Sequence, residues 1–258
     1  MKGWVNNVKK NRFEIDMCNG SIMDKLISFS LPLMVSGILQ LAFNAVDIIV
    51  VGRFSGSQAL AAVGSTTALI NVFTNLFIGI SLGANVLAAR FYAAGKDREM
   101  SETVHTSITL ALISGIMMAV IGVLLAKWAL EIMGTPDDVI GQSALYMRIY
   151  FMGMPFFMLY NYGAAILRAI GDTKRPLIFL IISGIANAAL NMTLVILFHM
   201  GVAGVAIGTI ISQLISCVLV LTCLYRSEGS YQLRFSKLKI NGAYMEQIFQ
   251  VGVPAGIQ

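Results

Sequence analysis

Apolar residues run through this chain in long unbroken stretches and do not alternate with polar ones. Six stretches, at about 26–51, 59–90, 104–128, 139–168, 177–198 and 202–225, are each long enough to cross a hydrocarbon core about 30 Å thick. Lipid offers no partners to the backbone, so spanning segments must be helices; a closed barrel would leave short alternating strands instead. The expected fold is an all-α integral membrane protein, a six-helix transmembrane bundle. Polar punctuation sets its connections: a tight turn at 52–57, an acidic turn at 131–138, and a link at 199–201 so short that the sixth span must return antiparallel to the fifth. Pro155 falls inside the fourth span and should kink it. After that span, Gly171 should end one helix, Asp172 or Thr173 should cap the next, and Pro176 suits its first turn.

Composition supports this class. The chain is 57% hydrophobic and 12% charged, too few polar groups to coat a surface facing water, so the bilayer is its first partner. A net charge of +5 raises the question of nucleic acid, but the basic residues punctuate loops and form no single patch, so no nucleic-acid partner is expected. Lys2, Lys9, Lys10, Arg12 and Lys25 precede the first span. Arg90, Lys96 and Arg98 follow the second, Arg168, Lys174 and Arg175 the fourth, and Arg226, Arg234, Lys237 and Lys239 the sixth. Only Arg53, Lys127 and Arg148 fall on the other side. The positive-inside rule therefore puts the N-terminus in the cytoplasm of a multi-pass protein of the cell membrane. Cys18, Cys217 and Cys223 form neither a disulfide framework nor a CxxC pattern. No cleavable signal is recognisable, and no nucleophile and base pair on neighbouring spans, so neither an enzyme nor a cofactor is expected.

The chemistry concentrates on the first span. Ser36, Gln40, Asn44 and Asp47 fall within about 80° of one another at 100° per residue, one polar stripe on an otherwise apolar helix. Holding a carboxylate in a span costs roughly 3 kcal/mol, so it should face protein or water. The competing reading is a solvated Asp near the outer helix end, because Asp47 lies in the outer half of the bilayer. Further stripes are available as partners: Ser183, Asn187 and Asn191 on span five; Thr67, Asn71, Thr74, Ser81 and Asn85 on span two; Thr209, Gln213 and Ser216 on span six. Carboxylate, amide and hydroxyl oxygens are hard ligands that suit Na⁺, and a lone carboxylate also suits H⁺. Gly204, Gly208, Ser212 and Ser216 recur every fourth residue and read as helix packing. His105 and His199 sit at span ends and read as interfacial.

The end of the chain echoes its beginning. MEQIFQVGVP at 245–254 repeats the Met, acid, aliphatic and Pro positions of MDKLISFSLP at 23–32, so Pro254 answers Pro32. An even number of spans separates the copies, which makes them parallel repeats about an axis along the membrane normal. The expected organisation is a cytoplasmic leader at 1–25, a six-helix lobe at 26–225, a cytoplasmic linker at 226–243, and the start of a second lobe at 244–258.

Four segments then resemble a known family. NAVDIIVVGRFSGSQALAAVG (44–64), GISLGANVLAARFYAAGKDREM (79–100), RAIGDTKRPL (168–177) and GVAGVAIGTIISQ (201–213), in this order, resemble the N-terminal half of a MATE (multidrug and toxic compound extrusion) transporter. The resemblance implies one lobe of a twelve-helix fold plus the start of helix seven. It implies export of small organic, often cationic, compounds in exchange for Na⁺ or H⁺, with the C-terminal lobe of the same chain as partner. It also implies a cation site in this lobe, with Asp47 as the first-helix Asp, Asn187 as the fifth-helix Asn and Thr209 as the sixth-helix Thr; Asp47 would be the Na⁺ ligand. The family often carries a second Asp one turn after the Asn, where this chain has Asn191, so a site here would hold one charge, with Asn191 counted among its neutral cation-binding residues. Gln40, Asn44, Asn71 and Pro32 are expected to line or support a substrate cavity. Two other readings compete: a lipid-linked oligosaccharide flippase of similar fold, disfavoured because only Arg148 and Arg168 are at hand as cations for a pyrophosphate, and a six-helix scaffold without transport.

Overall fold

The computed structural model describes residues 21–257. Most of the expected leader, Cys18 included, lies outside the described residues, as does Gln258. Eight helices follow one another: α1 (Ile22–Phe54), α2 (Gly56–Ala93), α3 (Asp97–Ile132), α4 (Asp137–Met152), α5 (Met154–Ala169), α6 (Lys174–Met192), α7 (Gly201–Arg226) and α8 (Gly242–Ile257). No strand occurs among the described residues. Five helical stretches, those of α1, α2, α3, α6 with its continuation, and α7, are each long and apolar enough to cross a membrane.

The remaining span is broken in two. What reads as one helix at 139–168 is α4 followed by α5, hinged at Gly153, whose N–H turns back to the Tyr150 carbonyl at 3.0 Å. Pro155 explains the break, because it has no N–H to return to the carbonyl four residues earlier. At the hinge α3 comes close: a Cβ on Gly115 would lie 2.6 Å from Pro155 Cα, and Gly122 leaves room for the Phe151 ring. The core forms around this junction, with Phe151, Met154, Met158 and Tyr162 fully buried.

Helix ends extend beyond the apolar runs. α1 begins at Ile22, inside the stretch read as leader. The turn expected at 52–57 shrinks to Ser55 between two helices, made possible by the left-handed backbone of Gly56 at φ 88°. α3 starts seven residues before its apolar stretch because Asp97 and Glu99 in its first turn complement the helix dipole, and Lys96–Glu99 and Arg98–Glu102 pair along its surface. Gly171 does end α5, at φ 84°. Thr173 makes no side-chain cap; instead Asp172 Oδ1 accepts the Arg175 N–H at 3.1 Å.

The segments rich in Lys and Arg gather at one end of the bundle. Arg234 N–H donates to His105 Nε2 at 3.1 Å, Asn241 Nδ2 to Glu102 at 3.0 Å, and Phe91 and Tyr92 meet Tyr244 and Tyr231 edge to face. His105 is therefore buried and bonded to the 226–241 segment, where an interfacial position was expected. α8 lies against α2 through glycines on both helices: Gly83 faces Gly252 and the Ile248 carbonyl, and Gly79 faces Gly256. Absent side chains let two helix backbones approach this closely.

Candidate functional site

α1 approaches α6 because Gly184 leaves space for the Phe43 ring, which a Cβ would overlap. That contact brings the C-terminal half of α1 alongside α6. Asn191 of α6 then donates its Nδ2 to Asp47 Oδ1, and the same amide reaches Asn187 Oδ1 at 3.3 Å. Asn187 Nδ2 in turn donates to Thr209 Oγ1 at 3.4 Å, and the Thr209 hydroxyl donates to the Val205 carbonyl at 2.9 Å. The result is one relay across α1, α6 and α7. Asn187 and Asn191 are 5% and 0% exposed, so the middle of the relay is buried in the protein, while its ends at Asp47 and Thr209 are half-buried.

Two features differ from the sequence reading. Asn187 and Thr209 were expected as the direct neighbours of Asp47, with Asn191 a further cation-binding residue, whereas the one that touches the carboxylate is Asn191. Asn191 lies one turn further along α6, and that turn matches the depth of Asp47. An amide there supplies a donor to the carboxylate, where a second carboxylate would repel it. Gly208, read as packing, also shapes the relay. Its bare Cα accommodates the Asn191 side-chain carbonyl, which a Cβ would strike. That carbonyl oxygen, Asn191 Oδ1, is buried with no hydrogen-bond partner. The π turn Thr193–Leu197 starts two residues after Asn191, and such turns recur at functional sites.

A cavity of about 400 Å³ opens in front of the relay. Gln40, Asn44 and Asp47 line it from α1, Asn71 and Thr74 from α2, and Asn187 and Thr209 from α6 and α7. Asn191 lies behind this wall. Ser36 lies outside the cavity wall, and its hydroxyl donates to the Pro32 carbonyl at 2.8 Å. Pro32 itself lies outside the cavity wall, within a helix that continues through it.

Residues that sequence reasoning passed over complete the wall. Tyr146 and Tyr150 face it from α4 with ring centroids 6.2 Å apart, and Asn161 faces it from α5. The spacing of the two tyrosines, one helical turn on a polar face, was the available signal. Ser212 and Ser216, read as packing, also line the cavity.

The Ser and Thr hydroxyls of the wall share one orientation, beside side-chain amides that can both donate and accept. The hydroxyls of Thr74, Ser183, Thr209, Ser212 and Ser216 all donate to carbonyls of their own helices, at 2.8 to 3.1 Å. Their protons are thereby committed, and their lone pairs face inward beside a carboxylate and two aromatic rings. Such a surface suits a cation, inorganic or organic. Among the described residues, no group of three His, Cys, Asp or Glu side chains comes together to hold a metal, so the donor set is one carboxylate with neutral oxygens. These are the ligands of a hard monovalent ion and not of zinc.

Comparison with known proteins locates this architecture. The MatE family model matches residues 32–193. The chain is 33% identical over 246 residues to the probable multidrug resistance protein YoeA of Bacillus subtilis (strain 168), an overlap of 92% of this chain and 53% of that one. It is 28% identical over 239 residues to the multidrug export protein MepA of Staphylococcus haemolyticus (strain JCSC1435), covering 91% of this chain and 52% of the relative. In fold it is similar to a crystal structure of MATE in the bent conformation, with a TM-score of 0.84 and 22% identity over 92% of this chain and 53% of that one. The chain spans about half the length of the curated relatives it matches.

Proposed function

The chain belongs to the MATE family, and from that premise we propose that it forms the N-terminal six-helix lobe of a secondary active exporter. The transporter moves small organic compounds, often cationic, outward across the cytoplasmic membrane in exchange for Na⁺ or H⁺. Its relatives carry multidrug resistance and export names, which supports the export direction. The gathering of Lys- and Arg-rich segments at one end of the bundle supports a cytoplasmic position for that end. The lobe occupies 26–225, the linker 226–243, and α8 opens the second lobe.

One observation carries the proposal: Asp47, held by Asn191, is the one carboxylate among the residues lining a cavity whose Ser and Thr hydroxyls have given their protons to their own helices. In the ion-free state the carboxylate favours a cationic substrate at this wall. Na⁺ or H⁺ taken up from outside neutralises it. For Na⁺, Asp47, Asn187, Asn191 Oδ1 and Thr209 Oγ1 are the oxygens within reach; for H⁺, Asp47 alone suffices. Neutralisation weakens the hold on substrate and lets α1 repack against α6 and α7. Substrate and ion need not touch, since each only has to prefer a different conformation.

Drug efflux from cells expressing the full-length protein tests this directly. Asp47→Asn is expected to abolish export while the protein still reaches the membrane. Undiminished efflux would remove Asp47 from the mechanism.

A further inference from the structure

The carboxylate has a counterpart of opposite sign towards the Lys- and Arg-rich end of the bundle, in a cavity that Ala255 and Gly256 of α8 help to close. Arg168, the penultimate residue of α5, lines a second cavity, of about 930 Å³, walled by Phe29 and Leu33 of α1 and by Ser81 and Asn85 of α2. Asn75 and Ile78 belong to both cavities, so one face of α2 runs continuously from the Asp47 chamber to the Arg168 chamber. Residues 71 to 85 mark its length, about 21 Å at 1.5 Å per residue. Its carboxylate lies at one end and its guanidinium at the other.

Arg168 is uncommitted within the lobe. Among the described residues it forms no ion pair and no hydrogen bond, and the nearest acid in sequence, Asp172, is engaged by Arg175 at 2.9 Å. The other polar groups at this end are spoken for: Asn85 Nδ2 donates to the Ala165 carbonyl at 2.6 Å, and the Ser81 hydroxyl to the Ile78 carbonyl at 2.7 Å. A half-buried guanidinium beside apolar walls is costly unless an anion answers it. Its planar fork matches carboxylate, sulfonate or phosphate oxygens two at a time.

We propose that Arg168 binds the anionic group of an amphiphilic organic acid in the cavity at the Lys- and Arg-rich end, with the apolar body of the ligand against Phe29 and Leu33. The inference rests on the export reading and assigns the anionic end of a ligand to one side chain, Arg168. A lipid headgroup offers the same anionic chemistry, so the test must separate the two sources.

The test uses the full-length protein in nanodiscs of zwitterionic lipid, with two fluorescent probes of one aromatic body. One is 8-anilinonaphthalene-1-sulfonate, which is anionic; the other is N-phenyl-1-naphthylamine, which is neutral. Arg168→Gln is expected to weaken sulfonate binding about tenfold or more, the scale of a lost bidentate charged contact, with the neutral probe little affected. Arg168→Lys should fall between, because it keeps the charge and loses the fork. Unchanged sulfonate binding in both variants would overturn the proposal, as would equal weakening of both probes. Sulfonate preference that disappears in nanodiscs of anionic lipid would assign the site to a headgroup and overturn the organic-acid claim. Cationic dye export without any sulfonate preference would sink this inference and leave the export reading standing.

Discussion

The relay makes Gly208 the most informative position to perturb, because it touches no ion or substrate and yet holds Asn191 in place. In Gly208→Ala the new methyl strikes Asn191 Oδ1, with Asn191 Cγ next at 3.2 Å and its backbone N at 3.5 Å. The backbone cannot yield easily inside a helix, so the amide must rotate. Rotation breaks the bond to Asp47 and the bond to Asn187. A hydrogen bond to a charged group contributes about 1.5–3 kcal/mol, and each 1.4 kcal/mol is about tenfold in an equilibrium constant. Dye export by everted vesicles, titrated with the driving cation, should therefore show a half-maximal concentration shifted by about tenfold or more. Gly204→Ala is the matched control one turn away. There the nearest atoms are Met200 and Leu194 at 3.1 and 3.2 Å, and no relay residue is in contact. Both changes gain about 1 kcal/mol of helix propensity, so a general effect on the helix would appear in both. An unshifted titration in Gly208→Ala, or the same shift in Gly204→Ala, would refute the role given to Asn191.

Three other perturbations follow from the packing. Gly252→Ala puts a methyl 2.5 Å from Ile80 Cα, and overpacking of this kind costs about 1–3 kcal/mol, so the melting temperature of the purified protein should fall; an unchanged melting point would mean that α2 and α8 are not held together here. Arg175→Ala leaves Asp172, 0% exposed and ion-paired at 2.9 Å, with a buried charge, a loss of about 3–5 kcal/mol. The double variant with Asp172→Asn should recover part of that stability, and no recovery would argue against the pair. His105→Ala removes the acceptor of the Arg234 N–H and the partner of the Ser101 carbonyl; limited proteolysis should then cut within 226–241 faster than in the wild type, and equal rates would show that the segment is held by other contacts.

The helical spans were legible in the sequence because lipid enforces them: a run of apolar residues with no backbone partner outside itself has one solution. The stripe that carries Gln40, Asn44 and Asp47 was legible for the same reason, since helical periodicity alone puts those residues on one face. Pro155 announced a disturbance, although a full break at Gly153 depended on α3 offering Gly115 and Gly122 to fill the gap. Partner identity was harder to read. Whether Asn187 or Asn191 meets Asp47 depends on how far α6 slides along α1, which the Phe43 and Gly184 contact decides. Tyr146, Tyr150 and Asn161 were harder to read, because the break at Gly153 sets which faces of α4 and α5 turn towards the cavity. Arg168 read as loop punctuation, and only the shared wall of α2 connects it to the carboxylate.

The central claim is that a single carboxylate, Asp47, couples cation entry to export. Its most direct test is uptake of a fluorescent cationic dye into proteoliposomes holding inside-out full-length protein, with Na⁺ and pH gradients imposed independently, for wild type and Asp47→Asn. One of the two gradients is expected to drive the wild type, and neither is expected to drive the variant. Dye transport by Asp47→Asn at the wild-type rate, under the gradient that drives the wild type, would contradict the claim.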